Sequence, residues 1–278
     1  MDNFRLSFEF FPTKTEEGTK KLYNTRDKLA ALNPDFFSVT YGAGGSTRTN
    51  TIDIVDGLNQ KGISTAPHLS CVGESRDSIK ELLNHYAQND VERIVALRGD
   101  LPSGMAASSG ELRYANELVE LIKKEHGDRF HLEVAAYPEM HPQANNYEDD
   151  LLNFKRKVDA GADSAITQYF FNIDSYLYFV DRCLDMGIET PIVPGIMPIT
   201  NYTKLARFSD ACGAEIPRWI RKQLEAYGDD SESIMKFGEE VMTLMCEDLV
   251  ENGVPGLHFY TLNQADPCLN IWKNLNLW

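Results

Sequence analysis

Ser7-Phe8-Glu9-Phe10-Phe11-Pro12 is apolar at almost every position and carries one carboxylate. Alternate residues of an extended chain point to opposite faces, so Phe8 and Phe10 share one face and Ser7, Glu9 and Phe11 the other. A strand apolar on nearly every position is expected to be buried on both sides, as strands of parallel sheets are. A lone carboxylate in it needs a partner, or a place at the strand end facing a cleft. Apolar surroundings favour the protonated form, which is the form a general acid needs. The competing reading is a Glu that merely looks into solvent, since most charged residues are exposed.

Similar runs recur along the chain. Strands are expected near Leu6–Phe11, Asp35–Gly42, Ser64–Val72, Arg93–Gly99, His131–Pro138, Ser164–Phe171, Ile192–Pro198 and Gly256–Asn263. The first four start roughly every 29 residues, close to the length of a βαβ unit. Between them lie amphipathic segments such as Thr19–Leu32 and Asp77–Gln88, in which Ile79, Leu82 and Leu83 fall at helical spacing opposite charges. Glu148–Val158 opens on acids and ends on Lys155-Arg156-Lys157, the order a helix dipole favours. The same cations would also suit an anionic ligand.

Eight βα repeats in 278 residues predict an α/β fold, a (β/α)8 TIM barrel, which typically takes about 250 residues. A doubly wound open sheet is the alternative, because alternation of strands and helices does not by itself close a barrel. The interval between strands 7 and 8 is irregular: Asn201–Asp210, Pro217–Tyr227 and Ser231–Asn252 read as extra helices, and Pro267–Leu275 as a last short one. No linker, low-complexity tract or charge block divides residues 1–278, which read as one barrel domain.

Apolar content of 42% and charged content of 25% are those of an ordinary globular protein. No run of about eighteen apolar residues is present, so no membrane association is expected. Met1-Asp2-Asn3-Phe4-Arg5 leads straight into the first strand, and no signal peptide is expected. The five cysteines are scattered without CxxC spacing, which argues against a disulfide framework or a zinc site and suits a cytoplasmic protein. A net charge of −15 disfavours nucleic acid as a partner. Any anionic small molecule must then be held by a few locally placed cations.

The chemistry-capable side chains gather at one end of the strands. Glu9 is late in the first, Thr40 and Tyr41 end the second, and His68 is late in the third. Arg98 and Asp100 finish the fourth, and Tyr137 ends the fifth with Glu139 and His141 beyond it. Gln168 lies in the sixth, and Tyr260 and Asn263 close the eighth. In barrel enzymes the active site is built from these C-terminal strand ends and the loops after them. Strand ends are generally polar, so no one position decides; seven strands delivering such groups to one rim predict an active site there. Gly42-Ala43-Gly44-Gly45-Ser46-Thr47 could cradle a phosphate but matches neither GxGxxG nor the P-loop, and a flexible loop is the default. His68, Glu139 and His141 include metal-ligand types without a spaced third His or Cys, so cleft-lining is preferred and no metal is expected.

At these residues the chain resembles the methylenetetrahydrofolate reductase family, in its bacterial single-domain form. The carriers are Ser7–Pro12, Ser38–Ala43, Ala66–Leu69, Ile94–Pro102, Val134–Glu139, Leu151–Ala162, Ala165–Gln168, Pro194–Pro198 and Leu257–Asn263, nine motifs in family order. The resemblance implies a barrel with FAD at the C-terminal rim, reduced by NADH. A methylene folate then occupies the same place and takes the hydride in a ping-pong cycle that supplies methyl groups for methionine synthesis. It also implies a homo-oligomer. By family match Glu9 is the general acid and Asp100 a carboxylate near flavin and pterin. The match places Gln168 and Phe208 against substrate. For FAD the matching positions are Thr40, Tyr41, Ala43, His68, Arg98, Gly99, Asp100, Ala115, Tyr137, His141, Ala144, Asp150, Asn153, Arg156 and Lys157. On that reading Arg156 and Lys157 meet the diphosphate.

Two positions depart from the pattern of well-studied bacterial members: Gln264 stands where they carry Arg, and Lys204 where they carry Gln. The positive charge for the folate's anionic end is therefore expected to come from Lys204, a point charge and not a bidentate fork. A different flavin oxidoreductase on the same barrel, or a non-catalytic flavin or folate carrier, are the competing functions. The presence of both Glu9 and Asp100 argues against a carrier.

Overall fold

In the computed structural model, residues 4–42, 48–59, 62–100 and 110–277 are described. Six strands lie side by side in chain order, all parallel: β1 (Arg5–Phe10), β2 (Phe36–Val39), β3 (Thr65–Ser70), β4 (Arg93–Leu97), β5 (His131–Ala136) and β6 (Ser164–Thr167). Each is followed by a helix: α1 (Glu16–Ala30), α2 (Arg48–Asn59), α3 (Arg76–Gln88), α4 (Ala115–His126), α5 (Tyr147–Asp159) and α6 (Ile173–Asp185). Local signals start these helices. Asn146 caps α5 by accepting from Asp149 N, and Glu148, Asp149 and Asp150 lie in the first turn while Arg156 and Lys157 lie in the last.

The expected seventh strand, Ile192–Pro198, is two short ones, β7 (Ile192–Val193) and β8 (Gly195–Ile196). Pro194 lies between them and has no N–H to continue the ladder. β7 pairs with β6, and β8 pairs with β9 (Gly256–Tyr260). Because β9 also pairs with β1, the order β7-β6-β5-β4-β3-β2-β1-β9-β8 begins and ends on neighbouring segments, and the sheet closes into a nearly complete barrel. Between β8 and β9 lie α7 (Tyr202–Cys212), α8 (Arg218–Tyr227) and α9 (Ser231–Glu251), and α10 (Asp266–Asn274) follows β9. These are the extra helices expected there.

Alternation sorts the strand residues as the first motif requires. Phe8 and Phe10 are fully buried on the outer face, stacked with Phe37 at 5.9 and 5.3 Å between ring centroids. The interior holds a small apolar cluster, Phe36, Ala66, Val95 and Ile166, around which polar side chains are arranged. At the N-terminal end of the strands, buried Glu133 bonds to Arg93 and lies 3.4 Å from His131. Burial acts to raise the Glu133 carboxyl, but the hydrogen bond from His131, the Arg93 charge and the Ser164 hydroxyl outweigh it and hold it at about 2. The ladders stop earlier than expected at their C-terminal ends. Thr40, Tyr41, Arg98, Gly99, Tyr137 and Gln168 lie just past the last strand residue, in the connections that form the rim.

Two consequences can be measured. Gly195 has room for nothing else: a Cβ there would lie 2.2 Å from Thr167 O and 2.6 Å from the Tyr260 ring. Gly195→Ala should destabilise the protein by about 1–3 kcal/mol in urea unfolding, as overpacking does. Glu133 is held below its unfolded value of 4.5, so it stabilises the fold above that pH, and the contribution is lost as pH falls toward about 2. Glu133→Gln should remove that acid dependence and, by stranding Arg93, cost roughly 3 kcal/mol at neutral pH.

Candidate active site

The rim carries a cavity of about 760 Å³, near the upper part of the ~300–1,000 Å³ range of small-molecule sites. It lies over the ends of β4 and β5 and against the N-terminus of α4 and one face of α5. Arg98, Gly99, Asp100, Ala115, Tyr137, His141, Ala144, Asp150, Asn153, Arg156 and Lys157 all line it. Eleven residues expected around one cofactor are thus gathered in one place. The helix brings Asp150, Asn153, Arg156 and Lys157 to a single face because they recur at three- and four-residue spacing.

Each is fixed by local chemistry. Gly99 has φ +85, and a Cβ would fall 1.7 Å from Ser70 Oγ, so only glycine lets the chain turn between Arg98 and Asp100. The Lys157 ammonium donates to Ala135 O and faces the Phe154 ring at 5.5 Å; burial pulls it down to about 8, against the opposing pull of Asp150. Arg156 Nη1 donates to Asn153 Oδ1 at 2.6 Å. Asp150 accepts from His141 N at 2.7 Å, which ties the loop after β5 to α5. Burial lowers His141 and raises Tyr137 to about 12, with Asp100 and Asp150 adding to the latter; the two rings meet edge-on at 4.6 Å. Lys155, the one member of the Lys155-Arg156-Lys157 run that does not line the cavity, pairs with Asp159 at 2.9 Å.

Other expected residues lie off this cavity. Tyr41 donates to Glu74 at 3.1 Å, and Glu74 pairs with Arg48; burial, reinforced by the Glu74 charge, raises the Tyr41 phenol. Thr40 is held by its own backbone, bonding Phe10 O and accepting from Thr51. His68 turns into the barrel, with Nε2 3.3 Å from Glu9 Oε2. Ala43 and the Ala43–Thr47 part of the glycine-rich stretch lie outside the described residues. Gln168 sits just past β6, its side-chain oxygen accepting from Tyr169 N at 3.0 Å. Lys204 and Phe208 are one turn apart on α7, Lys204 exposed and Phe208 under the Arg207 guanidinium at 5.4 Å. Gln264 is exposed beside a second cavity of about 480 Å³ between α1, α9 and α10.

Glu9 sits inside the rim, its side chain 19% exposed with His68 beside it, which fits a strand-end carboxylate at a cleft better than one looking into solvent. Its backbone carbonyl accepts from Thr261 Oγ1 at 2.6 Å. Opposite it in register, Tyr260 donates to Thr167 O at 2.7 Å. Burial, with the Glu9 charge next, raises the Tyr260 phenol far out of reach, so it stays neutral. The sequence reading passed over the cavity-lining Tyr114, Asn116, Gln143, Asn145 and Asp149. Those lie in loops and first turns, where nothing periodic marks them. It also passed over His258, whose alternation with Tyr260 in β9 was the available signal.

The family model for methylenetetrahydrofolate reductase matches residues 1–276. The 5,10-methylenetetrahydrofolate reductase of Escherichia coli (strain K12) is 44% identical over 273 residues, covering 98% of this chain and 90% of that protein. The one from Buchnera aphidicola subsp. Schizaphis graminum is 43% identical over 271 residues, 97% of this chain and 91% of that protein. A rice protein named probable methylenetetrahydrofolate reductase (NADH) is 40% identical over 285 residues, 98% of this chain but 48% of its own length. Among solved structures, a Clostridium thermocellum protein described as binding two copies of 5-methyl-5,6,7,8-tetrahydrofolic acid aligns with a TM-score of 0.70 at 17% identity, over 99% of this chain and 95% of that one, which shows a common fold. With the family matched end to end, this chain belongs to the methylenetetrahydrofolate reductases, and it is an oxidoreductase.

Proposed function

We propose that this enzyme reduces 5,10-methylenetetrahydrofolate to 5-methyltetrahydrofolate with NADH as reductant and FAD as the resident carrier. The carrying observation is that one rim holds both the large cavity, with Arg98, Arg156 and Lys157 on its wall, and the half-buried carboxylate of Glu9. The donor set fits a flavin dinucleotide. Two guanidinium groups, a buried ammonium and the N-terminus of α4 answer a diphosphate. Arg98, Arg156 and Lys157 would hold FAD there, where it would supply hydride transfer between NADH and the folate, each using the same place in turn, and the product would be a methyl donor for methionine synthesis.

The chain's own residues then have distinct tasks. The methylene bridge of the folate opens to an iminium cation only if the departing nitrogen is protonated, and Glu9 is the group that gives that proton. Asp100, at the end of β4, places a fixed negative charge where it stabilises the cation as it forms. Gln168 offers its amide to the pterin or the nicotinamide, and Phe208 a ring for either to stack on. Lys204, on the same face of α7 as Phe208, meets the anionic end of the folate.

A purified sample should be yellow, bleach under NADH without oxygen, and recover its colour on adding methylene folate; a colourless protein that binds no FAD overturns the reading. Glu9→Gln should slow the folate-dependent recovery by roughly 100-fold or more while bleaching by NADH stays near normal, since only the folate half needs a proton donor. Equal loss in both halves would make Glu9 structural. Lys204→Gln should raise the KM for folate about threefold with little change in kcat, as loss of one exposed charge pair does.

A further inference from the structure

The face that α7 turns to the barrel is not wholly apolar. Leu205, Ser209 and Cys212 recur at positions i, i+4 and i+7 and form one stripe. Leu205 and Ser209 are buried, and Cys212 is half-buried. Both polar members of the stripe meet one phenol. The Tyr169 hydroxyl oxygen lies 3.1 Å from Ser209 Oγ and accepts from Cys212 Sγ at 3.4 Å. Tyr169 is 4% exposed, and the rings of Phe171 and Tyr260 meet it edge-on at 5.7 and 6.3 Å. Burial, with the Cys212 hydrogen bond next, raises the phenol, so it acts as a neutral hydroxyl. Its backbone N–H donates to the side-chain oxygen of Gln168. Tyr169 thus touches Gln168, just past β6, and also the helix that carries Phe208 and Lys204. A separate bond, from Glu215 N to Glu139 Oε2 at 2.8 Å, ties the turn after α7 to the loop after β5.

We propose that Tyr169 is a positioning residue that sets the rotation of α7 and so the place where Phe208 meets the substrate ring. Phe208 precedes Ser209 by one residue, about 100° round the helix, so a roll of α7 about its axis carries the ring sideways. Dispersion contacts such as those of Leu205 are weakly directional and tolerate such a roll. Two hydrogen bonds to a single fixed oxygen do not. The phenol therefore turns a packed helix into an aligned one. The ring it aligns serves the nicotinamide and the pterin alike, so both substrates should register its loss as weaker binding and not as slower chemistry. Glu139 holds the far end of α7 independently, which keeps the helix docked when the phenol oxygen is removed. The inference rests on Gln168 and Phe208 facing substrate in the function proposed above.

The test compares Tyr169→Phe, Ser209→Ala and the double variant in the FAD-loaded enzyme. Tyr169→Phe keeps the ring and removes the oxygen. The KM values for NADH and for methylene folate should both rise by a common factor of about five, with kcat within about twofold of normal. Ser209→Ala should move both the same way. The double variant should be no worse than Tyr169→Phe alone, because Ser209 acts through the phenol. A second readout needs no substrate: the rate at which an aromatic disulfide reagent labels Cys212, identified by its loss in Cys212→Ala. Cys71, Cys183, Cys246 and Cys268 are buried. In Tyr169→Phe the thiol keeps a longer contact, 3.9 Å to Ser209 O, and labelling should be faster by about threefold or more. A fall in kcat with unchanged KM values makes Tyr169 merely structural and overturns the proposal. Unchanged KM values, an unmoved Cys212 rate, or additive loss in the double variant overturn it too. If Tyr169→Phe does not fold, Ser209→Ala decides the matter by the same KM and kcat readings. If the unaltered enzyme fails to turn over folate, the functional reading fails, while the Cys212 rate still reports whether Tyr169 holds α7.

Discussion

Pro194 has no N–H, and the barrel closes around that fact. To close the sheet the chain here must bond β6 on one side and β9 on the other, so that neither is left with an open edge. The ladder to β6 ends at Val193, Pro194 O accepts from His258 N at 3.0 Å, and Gly195 N turns to Thr167 Oγ1 at 2.9 Å. One residue thus hands the chain from one neighbour to the other. The closure also brings Tyr260 within reach of Thr167 O, which fixes the phenol beside Glu9. The interior arrangement of β1 and β9 therefore depends on the neighbouring seam between β7 and β8.

The site divides into two parts with different physics. The cavity over β4 and β5 has cations, a helix N-terminus and side chains satisfied by one another at its wall. The Glu9 region is an interior polar cluster of two imidazoles, a phenol and a hydroxyl, less exposed than the cavity wall. In a chain of net charge −15, the cations of the cavity are local exceptions, and burial of Lys157 weakens its own hold on a proton. An anion arriving there would restore it.

Much of this was legible in the residues. Alternation of short apolar runs with helical patterns pointed to a barrel while leaving an open sheet possible, and the late position of Glu9, Arg98, Asp100 and Tyr137 in their expected strands pointed to the rim. Where the sequence misled, a local rule lost to a tertiary one. Ile192–Pro198 reads as one strand by hydropathy but is cut by a proline whose effect depends on a partner elsewhere in the sheet. Lys155-Arg156-Lys157 does end a helix whose first turn is acidic, but only the phase of α5 decides that Lys155 pairs outward while Arg156 and Lys157 also line the cavity. His258 carried no local signal apart from period-two alternation, because its meaning comes from the register between β1 and β9.

The side chain of Asn263 accepts from Phe11 N at 3.1 Å and donates to Phe11 O at 2.9 Å, an amide doing for the ends of β1 and β9 what a neighbouring peptide would do. Leu262 and Asn263 both adopt positive φ, at 49 and 56°, to bring it there. The next residue, Gln264, is exposed, and its N–H is already satisfied by Thr261 O. The clamp therefore works as a firewall. An exchange of the exposed residue at 264 leaves the join between β1 and β9 in place, because Asn263 carries it. The outer surface beside Gln264 can thus vary while one asparagine side chain keeps the ends of the two strands joined.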